Sequence, residues 1–285
     1  MAILITTPGL VTTGTEGADD IRFVTGNFTG AGDVVNALAG NDTIFLQSAI
    51  GASSGPGITL NGQGGADLFN LDEIRANSAG GSVVNGGAGR DTINLDGVLG
   101  NIGGGDGGDL INVTSGTLSA LGAGAGADTV NLTGTTVFAA SGTFSLGAGN
   151  DLMSGGLTTL NANVSINGGG GSDTIALDDF GASGLINGDS TADGGAADVI
   201  EIGDVGARST VKGKGGADTI TLSALGASGV LAGNAGGDVL SVSGGIAAGG
   251  SLNGGSGGDS IVATTAVFAG AAAINGGGGS DTIEL

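Results

Sequence analysis

Thirteen aspartates recur along this 285-residue chain at nearly even spacing: Asp19, Asp42, Asp67, Asp91, Asp109, Asp128, Asp151, Asp173, Asp198, Asp218, Asp238, Asp259 and Asp281. Successive members stand 18 to 25 residues apart. The six positions ending in the aspartate read Gly-Gly-x-Gly-x-Asp at 86–91, 104–109, 168–173, 254–259 and 276–281. The glycine two before the aspartate is present in twelve of the thirteen copies, Ala196 standing in its place before Asp198. Such a corner has two possible chemistries. Glycines at positive φ can turn successive carbonyl oxygens to one side, and an added carboxylate makes the corner a site for a hard, oxygen-loving cation. Alternatively the aspartate only accepts hydrogen bonds from backbone N–H groups, as in a metal-free glycine-rich solenoid. Asn or Ser would fill that second role equally well, yet the residue is Asp every time.

The residues around each aspartate say what must position it. Two places after it stand Ile21, Ile44, Phe69, Ile93, Ile111, Val130, Met153, Ile175, Ile200, Ile220, Leu240, Ile261 and Ile283, all large and apolar. Four places after it the residue is again apolar, except for Gly155 and the small Ala263. This alternation is that of a half-buried strand. A third apolar site follows seven after the aspartate at Ile74, Val98, Phe180, Val205 and Leu225, and is missing at Gly116, Thr158 and Gly245. Short runs such as 82–86, 164–168 and 251–254 then lead back to the glycines. One repeat is therefore strand, variable corner, strand, Gly-Asp corner. A single coil cannot bury its own few apolar side chains, but stacked coils bury them against one another. The sequence thus predicts an all-β fold: a right-handed parallel β-solenoid of about 13 coils of 18–25 residues. Residues 1–13, with a turn at Pro8-Gly9, form an N-terminal strand or cap, and 14–285 form one repeat domain. Asp189 to Asp193 reads as an enlarged corner within one coil.

Composition narrows the function classes. Of the residues, 67 are Gly and only 8 are Phe, with no Trp, Tyr, Cys or His. Disulfides and the usual zinc, copper or haem sites are therefore unavailable, and any metal must be held by oxygen. There are 27 Asp and Glu against 6 Lys and Arg, a net charge of −21, which excludes phosphate-neutralising nucleic-acid binding and points to cations. The N-terminus lacks the basic region and the apolar length of a signal peptide, and no segment is apolar enough for a membrane-spanning helix. A row of outward threonines after the aspartates (Thr43, Thr92, Thr129, Thr174, Thr219, Thr282) could meet ice or a glycan. Leu68, Leu110, Leu152, Val199 and Val239 interrupt it, so β-propensity explains it better. Asp72-Glu73 and Asp178-Asp179 read as exposed corner charge rather than as acid–base pairs.

From about Gly14 to Leu285 the repeat resembles the Gly-Gly-x-Gly-x-Asp-x-U-x unit of the RTX family, whose calcium-bound form is a parallel β-roll. The resemblance implies Ca²⁺, about one ion per gap between successive corners, with the thirteen aspartates as ligands. The family repeats every nine residues and carries calcium on both edges, whereas here the motif returns every 18 to 25; Asp33 and Asp42 do stand nine apart. The expectation is one calcium-bearing edge and one metal-free edge. Filling twelve gaps would add 24 positive charges to the net of −21. Without metal, carboxylates stacked ~5 Å apart would repel by roughly 1 kcal/mol per pair even in a water-like dielectric.

These observations favour a calcium-binding structural protein and no enzyme, since residues suited to catalysis or stacking are scarce. The expected partner is the chain itself, joined head to tail into an extracellular fibre, surface layer or matrix, with Leu285 ending on an inward position of the last strand. Alternatives are a calcium-dependent adhesin or an ice- or glycan-binding module meeting a cell-surface or glycan partner, and a virion fibre or decoration protein. The resemblance implies an extracellular or cell-surface location reached without an N-terminal signal peptide. Neither nucleic acid nor membrane insertion is expected.

Overall fold

The computed structural model describes residues 2–5, 11–23, 32–46, 57–72, 81–156, 159–190, 195–264 and 266–285. The turn expected at Pro8-Gly9, the apolar site Ile74, Glu73 and the centre of the 189–193 corner lie outside the described residues. Among the described residues there is no helix, and parallel strands stack as a β-solenoid. It makes about eleven turns rather than thirteen. Thirteen aspartates mark thirteen corners, and the completed turns number fewer than the corners.

The chain forms two compact units, 1–139 and 140–285. In the first, the position two after each aspartate stacks in register as Ile21, Ile44, Phe69, Ile93 and Ile111. The return strands supply a facing column of Val35, Leu60, Val84 and Ile102. In the second unit the columns are Met153, Ile175, Ile200, Ile220, Leu240 and Ile261, opposed by Phe144, Ile166, Ile186, Val211, Leu231 and Leu252. Every member of these two second-unit columns is fully buried. Each such side chain contributes ~1.5–3 kcal/mol of transfer free energy, which is how a repeat with so little bulk forms a core. The second unit adds the third column expected seven places on, Phe180, Val205 and Leu225, in register and buried; Ile246, eight places after Asp238, continues it where the offset of seven falls on Gly245.

The two corners of a second-unit coil close differently. Opposite the Gly-Asp corner, Ser183, Arg208 and Ser228 adopt left-handed conformations with φ of 57°, 61° and 55°. Their N–H groups donate to Ala207, Ala227 and Ala248 carbonyls of the following coil at 2.8–3.0 Å. The Ser209 hydroxyl adds to this corner, accepting the Gly184 N–H at 3.1 Å and donating to the Gly181 carbonyl at 2.6 Å. In the first unit, an outward amide column joins the coils at the position three after the aspartate. Asn94, Asn112 and Asn131 each donate Nδ2–H to the Oδ1 of the asparagine one coil before, beginning at Asn70, over 2.7–2.9 Å.

Candidate metal centre

The first step in building the corner is its backbone. The position four before the aspartate sits at positive φ in eleven of the thirteen copies, as at Gly87 (116°), Gly105 (120°) and Gly169 (125°); Thr15, before Asp19, does not, and residue 194, before Asp198, lies outside the described residues. Where glycine is absent, Leu38, Gln63, Lys214 and Asn234 are held at 75–90°. The position five before has a different reason to be glycine. A methyl group on Gly86 would overlap both Asp91 Oδ2 and the carbonyl oxygen of Gly104 in the next coil. The same overlap recurs at Gly62 with Asp67 and Gly86, at Gly104 with Asp109 and Ala123, and at Gly254 with Asp259 and Gly276. The glycines are thus there to let the carboxylate fold inward.

Once folded in, the aspartates are buried. Asp91 is fully inaccessible, and Asp42, Asp67, Asp109, Asp218, Asp238 and Asp259 are exposed by only 1–2%. Asp281 is half-buried. Eleven of the carboxylates reach back to the coil before them, while Asp19 Oδ2 accepts from Thr15 of its own corner. In the first unit the N–H groups of Asp19, Asp42, Asp67, Asp91 and Asp109 donate to Oδ1 of Asp42, Asp67, Asp91, Asp109 and Asp128 at 2.7–2.8 Å. In the second unit the N–H groups of Asp151, Asp173, Asp198, Asp218, Asp238 and Asp259 donate to Oδ1 of Asp173, Asp198, Asp218, Asp238, Asp259 and Asp281 at 2.8–3.1 Å. The sequence-predicted residues are therefore brought together within each unit as hydrogen-bonded columns.

The other oxygen has a different fate. Oδ2 of Asp42, Asp67, Asp91, Asp109, Asp218, Asp238 and Asp259 is buried and accepts no hydrogen bond. In the coils of Asp67, Asp91, Asp109, Asp238 and Asp259 it lies beside the same glycine Cα as a carbonyl oxygen of the next coil. Two acceptors converge there with no donor between them. Leaving a buried acceptor without a partner costs about 1–3 kcal/mol, and more when it is charged. No described lysine or arginine forms an ion pair with a column aspartate; Arg22 pairs with the exposed Asp20 instead. Burial accordingly pushes the carboxyls of Asp67 and Asp91 up to about 6 and that of Asp218 up to about 7. The N–H from the preceding coil opposes the rise, and neighbouring carboxylates add to it. Asp42, Asp109 and Asp238 move upward for the same leading reason.

The donor set suits a hard cation in kind: one carboxylate oxygen and a facing carbonyl per gap, all oxygen. It is thin in number, because Oδ1 is already engaged. Among the described residues no group of three or more acidic side chains is gathered to hold an ion by carboxylates alone, so backbone carbonyls would have to complete the shell. Sequence reasoning placed the aspartates on an edge and missed two things. One is which of the expected carbonyls it is, the one five before each aspartate, for which the repeated first glycine is the signal. The other is Asp189, fully buried and paired in strand register with Gly169, four before Asp173. The repeat of Ile166-Asn167-Gly168 as Ile186-Asn187-Gly188 marks that register. Comparison with protein-family models, with curated proteins and with solved structures finds no match for this chain.

Proposed function

We propose that the protein is a structural solenoid that takes up calcium along its Gly-Asp corners and is stiffened by it, working outside the cell. The observation that supports this reading is the buried, donor-free Oδ2 facing a carbonyl oxygen in coil after coil. A cation between the two oxygens would bind both and offset the carboxylate charge. With one carboxylate oxygen per gap the sites are weak ones, of the class that fills at ~10⁻⁴–10⁻³ M, the calcium level of extracellular modules. Because the site is made by folding, its binding free energy adds to folding. Circular dichroism and calorimetry in calcium, in magnesium and in EGTA test the reading. The expected result is a rise in Tm with calcium that EGTA reverses and magnesium, which keeps its own water shell, does not reproduce. Equal Tm in calcium and EGTA, with no heat of binding, sinks it.

A second reading has its own support. The Oδ1···H–N column gives each aspartate a structural task without any metal, and carboxyls raised to about 6–7 can carry a proton on Oδ2 that donates to the facing carbonyl. Under this reading acid, not calcium, raises Tm. Assembly into a fibre, surface layer or matrix is part of the first proposal; Leu285, expected inward, is exposed just past the last strand, Thr282–Glu284. Electron microscopy with calcium present tests it, and discrete monodisperse particles would count against it.

A further inference from the structure

The second unit carries its surface charge unevenly. Among the described residues, every exposed acid of the unit lies on the strands that follow the column aspartates: Asp178 and Asp179 on Thr174–Phe180, Glu201 and Asp204 on Val199–Val205, and Glu284 on Thr282–Glu284. The first four stand on neighbouring strands, with Ala176 opposite Glu201 and Asp179 opposite Asp204 in register. Beside them runs an open groove of about 640 Å³ lined by Asp178 and Glu201, in which the small Ser154, Gly156, Ala176 and Gly203 leave room for side chains from outside. The return strands are the reverse. Their one described acid in this unit, Asp189, is fully buried, whereas Thr210–Gly215 points Lys212 and Lys214 outward in alternation with the buried Val211 and Gly213. Arg208 stands exposed at the corner just before, so three of the chain's six cations fall within seven residues. Among the described residues, none of these three cations and none of those four acids forms an ion pair.

We infer that the second unit pairs side by side with the second unit of another copy, the face bearing Lys212 and Lys214 of one chain set into the groove lined by Asp178 and Glu201 of the next. Charge complementarity carries the choice of partner. A net charge of −21 repels copies at long range, so a second copy is held only where cations meet acids, and this face gathers half of the chain's cations. Single exposed pairs are weak, and here several form at once. Both surfaces belong to one coil: Glu201 and Asp204 precede the corner, and Arg208, Lys212 and Lys214 follow it. Copies therefore meet coil beside coil, at the same level. Because the two surfaces differ, the contact is heterologous, and each added copy presents a fresh groove or a fresh cation face to the next. Rows of this kind favour a layer over an end-to-end fibre. The inference deepens the assembly reading above and rests on it, but it needs no ion at the corners.

The test is sedimentation velocity of the whole chain across a concentration series with calcium present, where the wild type is expected to associate. Lys212→Glu with Lys214→Glu makes the cation face acidic, and Asp178→Lys with Glu201→Lys makes the groove basic. Each of these chains alone should associate at least tenfold more weakly, and an equimolar mixture of the two should recover. Circular dichroism checks the fold of each, and Lys212→Gln with Lys214→Gln, which only removes charge, should also weaken association. In a mixture of isotope-labelled and unlabelled wild-type chains, a carbodiimide, which joins an amine to a carboxylate in contact with it, should link Lys212 or Lys214 of one copy to Asp178 or Glu201 of another. Association that survives the charge reversals or the neutral pair, or a mixture that fails to recover while both chains stay folded, overturns the pairing while the assembly reading stands. A wild-type chain that stays monomeric overturns both.

Discussion

At the scale of single residues, the two oxygens of one carboxylate divide the work of the corner. In Asp91, Oδ1 holds the Asp67 N–H at 2.7 Å, while Oδ2 faces the Gly104 carbonyl. Asp91→Asn keeps the first acceptor and replaces the second by an N–H₂ that can donate to the carbonyl. In EGTA this variant should therefore be as stable as the wild type or more so, and in calcium less stable. Asp91→Ala leaves the buried Asp67 N–H unpaired and should cost about 1–3 kcal/mol in EGTA by urea denaturation. Acid provides a second residue-scale prediction. The folded-state values of about 6 for Asp67 and Asp91 and about 7 for Asp218 lie above the unfolded 3.8. Stability from these groups is then fully present below about 3.8 and lost as pH rises through 6–7. In EGTA, Tm should rise from pH 7.5 to pH 5; in calcium the trend should reverse, because protons displace the ion.

At the scale of the element, the glycines divide into those that packing demands and those it does not. Gly86→Ala drives a methyl into Asp91 Oδ2 and the Gly104 carbonyl and should cost about 1–3 kcal/mol, whereas Gly122→Ala meets nothing within 4 Å and should be close to neutral. Gln63, held at φ 75°, offers the opposite experiment. Gln63→Gly relieves a left-handed conformation worth about 1–2 kcal/mol, in part offset by glycine entropy, so a small rise in Tm is expected. The strands themselves were legible in the sequence, since Ile44, Phe69 and Ile93 recur at a fixed offset and a period of two leaves one face for them. The inward fold of the aspartates was not, because spacing locates a corner but not the rotamer of its side chain. The Asn70-Asn94-Asn112-Asn131 column was equally hidden: its members sit at an outward position where polar residues need no explanation. Asp189 was read as part of an enlarged corner because the residues between it and Asp198 displace it from its expected offset.

At the scale of the whole molecule, a net charge of −21 and buried carboxylate columns act in the same direction. Self-repulsion opposes the compact state, and screening relieves the surface part of it more than the buried part. In EGTA, sodium chloride should raise Tm gradually over hundreds of millimolar, whereas calcium at a few millimolar should do more than sodium at any of these concentrations. Equal effects at equal ionic strength would reduce the columns to ordinary surface charge. Within each unit the nearest-neighbour character of the stack also means that damage to one corner is felt by the coils on either side and not beyond.

The columns have a direction. Each of the eleven carboxylates bonds to the coil that precedes it in sequence, so the Asp42 N–H finds its acceptor in Asp67, and Asp67 in Asp91. In a chain emerging N-terminus first, every corner therefore stays open until the next aspartate, 18–25 residues later, has come out. Synthesis or passage through a pore closes the stack one coil behind the emerging end, like a ratchet whose pawl is always the most recent carboxylate.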